Sequence, residues 1–156
     1  ERGIASLEFG LTVDTKGYNV YLEGPTGSGK TTYTRNYLDK LTKKGIKLAI
    51  NTNKDQRFAD ETVKRVLKKW KFTNVIGAVD GKPRKPKPNG IEYILEEQGI
   101  SKSEAVYIGD MKVDIETAKN ADVYGIFCEW GFGEVETLEL EPSLIVKKPK
   151  EILEIF

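Results

Sequence analysis

Short apolar runs alternate with longer stretches whose apolar residues recur at helical spacing. YNVYL at Tyr18–Leu22 reads as a buried strand, and Ile46–Asn51, Asn74–Val79, Ala105–Ile108 and Val123–Phe127 continue the series. Leu144–Val146 reads as a short edge strand. Between them, Thr31–Thr42 reads as a helix stopping near Gly45. Asp60–Lys71 places Val63, Val66, Leu67 and Trp70 on one face. Ile91–Gly99, Val113–Asn120 and Pro149–Phe156 give three more helices. Ahead of the first strand, Ile4, Leu7 and Leu11 allow a short leading helix, and TVDTKG reads as a turn.

Strands alternating with helices predict a parallel sheet covered on both faces. The expected fold is a three-layer, Rossmann-like α/β sandwich with a mainly parallel sheet of five to six strands. Counting Tyr18–Leu22 as the first strand, the expected order is 3-2-1-4-5, which makes that strand central. No linker or repeat splits the chain, so one domain over residues 1–156 is expected. All strand C-termini then share one edge, where such sheets bind ligands. The loops at that edge are Gly24–Thr31, Thr52–Asp55, Asp80–Lys87, Gly109–Asp114 and Glu129–Gly133.

Composition narrows the function classes. There are 25 Lys plus Arg against 24 Asp plus Glu, so charge gives no general pull toward nucleic acid or membrane. The single cysteine, Cys128, cannot form an internal disulfide, which suits a reducing, cytoplasmic compartment. No apolar run is long enough for a membrane span, no signal-peptide pattern is present, and the chain begins at Glu1 without Met, as a processed or engineered chain would. His is absent, so acid–base work falls to a carboxylate, lysine or tyrosine.

Residues 21–32, YLEGPTGSGKTT, complete the pattern G-x-x-x-x-G-K-[ST] between a strand and a helix. Backbone N–H groups in such a loop form an anion nest, and the following helix adds its positive end. The candidate phosphate or nucleotide ligands are Gly24, Pro25, Thr26, Gly27, Ser28, Gly29, Lys30, Thr31 and Thr32. Lys30 would reach the β- and γ-phosphates and Thr31 would sit on Mg²⁺. With the preceding GYN, these residues resemble the start of the ATPase domain of Lon-like, AAA+ ATP-dependent proteases. That resemblance covers residues 1–40, and no later AAA+ motif follows.

The other edge loops carry a second set. Thr52 ends a strand in INTNK, Lys85 and Lys87 lie in KPRKPKPNG, and Asp110 and Asp114 follow a strand in VYIGDMKVD. A helical turn across Asp110 and Asp114 would place both carboxylates on one face, suited to a hard cation such as Mg²⁺. GDxxxD also fits helix capping by Asp110. In this order the residues resemble haloacid dehalogenase-like hydrolases, in the phosphoglycolate phosphatase branch, from about residue 43 onward. The resemblance implies that Thr52 and Lys85 hold a phosphoryl group, Lys87 being a substitute for Lys85. It also implies that Asp110 and Asp114 hold Mg²⁺ and that the WGFG loop, Trp130–Gly133, belongs to the family pattern. The family's D-x-D-G-T motif is absent, since the first strand ends Leu22-Glu23-Gly24-Pro25.

The expectation from the sequence is therefore a chimera joined near Lys40–Gly45, in two pieces, 1–42 and 43–156. It would be a monomeric phosphate- or nucleotide-binding P-loop protein with little turnover, taking a nucleoside triphosphate, phosphate or sulfate with Mg²⁺. The metal set would be Thr31, Asp110 and Asp114, with Lys30, Asp110 and Lys85 as catalytic candidates. The alternatives are a weak Mg²⁺-dependent NTPase and a residual dehalogenase-like phosphatase.

Overall fold

The computed structural model describes residues 11–15, 18–22, 38–148 and 150–155. Its strands are β1 (Leu11–Thr15), β2 (Tyr18–Leu22), β3 (Leu48–Asp55), β4 (Phe72–Ala78), β5 (Ala105–Gly109), β6 (Tyr124–Cys128) and β7 (Leu144–Val146). Its helices are α1 (Gln56–Val66), α2 (Asn89–Gln98), α3 (Lys112–Ala121) and α4 (Lys150–Ile155), and residues 38–43 are also helical.

One sheet runs in the order β4-β3-β1-β2-β5-β6-β7. The pairs β3–β4, β2–β5, β5–β6 and β6–β7 are parallel. Among the described residues the sheet has seven strands where five or six were expected, because β1 enters between β3 and β2, antiparallel to both. The expected neighbours β3 and β2 are thereby separated. The turn expected in TVDTKG is corrected over residues 12–15: Thr12 and Val13 pair on both sides of β1 and Thr15 pairs with Tyr18, while residues 16 and 17 lie outside the described residues. The proposed leading helix and the P-loop lie outside the described residues.

The alternation within β5 shows why both faces are covered. Val106 and Ile108 enter a core with Leu38, Leu41, Ile50, Trp70, Ile126 and Ile152. Ala105 and Tyr107 enter a second core with Ile91, Leu95, Ala118 and Ala121. Successive side chains of a strand point to opposite faces, so one buried strand anchors helices on both. The first core takes residues 38–43 and α4, with Val63 of α1 packed against it, and the second takes α2 and α3. Each fully buried Leu or Ile contributes about 1.5–3 kcal/mol relative to exposure. Helix α1 is N-capped by Asp55, whose carboxylate accepts from Arg57 N at 2.9 Å. It starts four residues before the expected Asp60, and Trp70 is buried beyond its end. Among the described residues no helix is long and apolar enough to cross a membrane.

Candidate functional site

Three segments at the C-terminal edge of the sheet meet around one buried ion pair. The first is the end of β3, where Thr52 is buried and its Oγ1 accepts the Lys54 N–H at 3.1 Å. The next residue, Asn53, grips the loop that follows β4. Its Nδ2 donates to Lys85 O at 3.1 Å, and its Oδ1 accepts from Lys85 N at 2.9 Å. This two-point clamp fixes the Lys85 backbone. The loop is held at its next residue too, where Asn120 of α3 donates to Pro86 O at 2.8 Å.

Lys85 crosses from this loop to α3, and its Nζ lies 2.9 Å from Asp114 Oδ1, with side-chain exposures of 2% and 0%. Burial pulls the Lys85 ammonium below its usual range, opposed by the Asp114 charge. Burial likewise raises the Asp114 carboxyl, opposed by Lys85. Removing two charges from water is costly, and close geometry with further hydrogen bonds is needed to offset it. Asp114 Oδ2 supplies one such bond, accepting from Met111 N at 3.0 Å.

Asp110 directly follows β5 and is capped by the WGFG loop. Its Oδ2 accepts from Phe132 N at 2.8 Å, and its backbone oxygen accepts from Gly133 N at 2.9 Å. A Cβ at Gly131 would collide with Asp110 Cβ and Oδ2, and one at Gly133 with Asp110 O. Both glycines therefore permit an approach that any side chain would block. Burial raises the Asp110 carboxyl to about 7, with the Phe132 N–H opposing and the Asp114 charge reinforcing.

Asp110 and Asp114 do not share a helical face as expected. Asp110 leaves β5 before the helix, Met111 is the N-cap, and only Asp114 lies within α3. Asp110 is thus not the cap either. Both oxygens of Asp114 are engaged, by Lys85 and by Met111 N. Asp110 Oδ1 is buried and has no hydrogen-bond partner among the described residues. No group of three or more acidic, His or Cys side chains among these residues could hold a metal by itself. Mg²⁺ commonly binds through one or two carboxylates, with water and phosphate completing its shell. The orphaned oxygen of Asp110 fits that habit, and a cation there would hold the carboxylate ionised.

The expected ligands Gly24, Pro25, Thr26, Gly27, Ser28, Gly29, Lys30, Thr31 and Thr32 lie outside the described residues. Of the two loop lysines, Lys85 meets the acidic pair, while Lys87 is exposed. Asn53 and the peptide N–H groups of Phe132 and Gly133 were not legible as site components. Asn53 sits beside Thr52 in INTNK, where only its partner across the fold reveals its use.

Residues 30–127 match the family model described as haloacid dehalogenase-like hydrolase. A phosphoglycolate phosphatase from Pseudomonas putida is 26% identical over 120 residues, covering 76% of this chain and 44% of the relative. One from Vibrio cholerae is 29% identical over 117 residues, covering 74% and 52%. A solved haloacid dehalogenase-like family hydrolase from Streptococcus pneumoniae has 28% identity and a TM-score of 0.69, covering 78% of this chain and 57% of that one. A structure of a hydrolase of the same superfamily, subfamily IA, from Geobacter sulfurreducens has 25% identity and a TM-score of 0.65, covering 78% and 58%. The chain spans about half the length of the curated relatives it matches.

These matches overturn the expected P-loop phosphate- or nucleotide-binding chimera. The match to the family model begins at Lys30, inside the glycine-rich pattern, and its range takes in residues 40–45, where a junction was expected. Nothing in the fold or the matches supports the Lon-like part. With more than half of its length matched and its sheet superposing on solved members, the chain belongs to the haloacid dehalogenase-like hydrolase family.

Proposed function

We propose that this chain is the core of a Mg²⁺-dependent phosphatase of the phosphoglycolate phosphatase kind, hydrolysing phosphate monoesters. The observation that carries the proposal is the convergence at one sheet edge of Thr52, the Lys85–Asp114 pair and the Asp110 carboxylate, whose Oδ1 has no partner among the described residues. Relatives named phosphoglycolate phosphatase make that ester the first substrate to test.

Hydrolysis breaks the P–O bond to the alcohol, and water supplies the new oxygen on phosphorus. The Thr52 hydroxyl and the Lys85 ammonium hold phosphoryl oxygens. Asp114 fixes the Lys85 side chain by their 2.9 Å contact, and Asn53 fixes its backbone. Preorganised charge of this kind needs no rearrangement as negative charge builds on the phosphoryl oxygens. Asp110 Oδ1 would hold Mg²⁺, which when bound neutralises phosphate charge. The WGFG loop keeps Asp110 in place through Phe132 N and Gly133 N. The family's attacking Asp has no counterpart here. Glu23 directly follows β2, the strand beside β5, and Glu23→Gln decides between attack by that carboxylate and attack by water.

The test is phosphate release from phosphoglycolate and from p-nitrophenyl phosphate. Activity is expected to require Mg²⁺ and to fall about 10²-fold or more in Asp110→Asn. No release from either ester, or full release by Asp110→Asn, overturns the proposal.

A further inference from the structure

The sheet edge that carries the site also gathers exposed apolar side chains. Phe58 stands in the first turn of α1, Val79 directly after β4, Met111 at the head of α3 and Phe132 in the WGFG loop. Tyr93 of α2 lines a cavity beside Thr52. These are five of the nine large apolar side chains exposed among the described residues, so the exposure concentrates at this edge. Phe132 has 71% of its surface in water. Single exposed apolar residues are ordinary, whereas a rim of them marks a contact surface.

Charge is divided along the same edge. At one end, the loop after β4 exposes Lys82, Arg84 and Lys87. Towards the other, residues 129–141 after β6 carry Glu129, Glu134, Glu136, Glu139 and Glu141 with no Lys or Arg. Lys82, Lys87, Glu134 and Glu136 make no ion pair among the described residues. The basic end holds the cavity, about 360 Å³, whose apolar wall is Ile76, Ala78, Val79 and Tyr93. The acidic end holds the exposed Phe132.

A partner of one charge would match one end and oppose the other. A second copy turned about a two-fold axis matches both, because each end then meets its opposite, twice over. We propose that this chain forms a reversible two-fold dimer through the edge that carries the site. Phe132 of each copy enters the other's cavity, and Glu134 and Glu136 meet Lys82 and Lys87. This dimer stands in place of the monomer expected from the sequence. Each copy supplies a wall to the other's cavity, so the space beside Thr52 and Lys85 is closed to water only in the pair. The aromatic anchor carries the affinity and the charges set the register.

Sedimentation velocity on the full chain tests this, and phosphate release does not enter the readout, so a failed phosphatase reading leaves the test intact. Dimer is expected at about 10–100 μM in low salt and should weaken as salt rises. Phe132→Ala keeps the peptide N–H on Asp110 and should raise the dissociation constant about tenfold or more. Lys82→Glu with Lys87→Glu should be monomeric, and so should Glu134→Lys with Glu136→Lys. An equal mixture of these two proteins should dimerise again, because both halves of the interface are then complementary. All four charged positions are exposed, so the substitutions leave the core intact. A parent that stays monomeric, a dimer indifferent to Phe132→Ala, a mixture that stays monomeric, or an open-ended series of larger oligomers overturns the proposal. Retention of a monomeric parent on heparin, lost in Lys82→Glu with Lys87→Glu, would assign the basic end to a polyanion instead.

Discussion

Lys85 and Lys87 share one loop, yet Lys85 is buried 2.9 Å from Asp114 while Lys87 is exposed at the rim of a cavity. The inner lysine is held from both ends, its backbone by Asn53 and its Nζ by Asp114. Exposed ion pairs contribute about 0–1 kcal/mol, because water screens them and ordering long side chains costs entropy. A buried pair has a different character: its formation yields little net stability, but removing one partner strands a charge. The inner charge is thus fixed in position by its partners, whereas the Lys87 charge faces solvent at the cavity rim. Proline follows both lysines, so the loop's own backbone preferences do not separate their burial. The separation comes from α3, which brings Asp114 within reach of one and not the other.

The largest expected effect breaks this contrast directly. Lys85→Ala should destabilise the fold by about 3–5 kcal/mol, because Asp114 is left buried without its partner. Lys87→Ala should change stability by less than about 0.5 kcal/mol. Urea midpoints of the two variants measure the difference, and equal midpoints would remove the distinction drawn here. Lys85→Met combined with Asp114→Leu should recover much of the loss, since a well-packed apolar replacement of a buried pair is often neutral.

A smaller effect concerns the cover over Asp110. Gly131→Ala should cost about 1–3 kcal/mol, because the new methyl group meets Asp110 Cβ and Oδ2 and the loop must shift. The same shift should raise the Mg²⁺ concentration needed for half-maximal phosphate release. Titrating Mg²⁺ against activity checks it, and an unchanged requirement would mean that the WGFG loop does not hold Asp110 in place.

The smallest effect sharpens the comparison with a second surface charge. Asp39 accepts from Trp70 Nε1 at 2.9 Å and from Lys69 Nζ at 3.1 Å. Lys69 and then Trp70 hold its carboxyl below the ordinary 3.8. A carboxyl with a lowered folded value stabilises the fold above its unfolded value and loses that contribution as pH falls through the folded one. The stability gap between parent and Asp39→Asn should therefore be constant near neutral pH and close below about pH 3.8. Urea midpoints across that range measure it, and added salt should narrow the neutral-pH gap.

Much of the frame was legible. The strand at Leu144–Val146 and the helices expected at Ile91–Gly99 and Val113–Asn120 follow from periodicity, the structure giving Asn89–Gln98 and Lys112–Ala121, and the order of the parallel strands on each side of β1 agrees with that expected from the alternation of strands and helices. Thr52, Lys85, Asp110 and Asp114 stood out as candidates because their side chains carry chemistry at the ends of recognisable strands. Strand β1 was not, because a short polar segment gains its strand character from two neighbours far apart in sequence. The glycine-rich pattern at Gly24–Thr31 misled the functional reading, because a loop motif recognises phosphate wherever it occurs and does not say which family surrounds it.

The amino-acid sequence by itself determined an α/β sheet, the edge at which its chemistry collects, and the residue types that gather there. Tertiary structure alone decided which lysine is buried, that Asp114 is spent on it, and that Asp110 keeps one oxygen without a partner among the described residues. It also decided that backbone N–H groups of the WGFG loop cap Asp110. The reason is physical. Periodicity reports which residues leave water, a property each residue shows locally. Pairing of charges and peptide groups depends on contacts such as Lys85 to Asp114 and Phe132 to Asp110, which bring together residues distant along the chain.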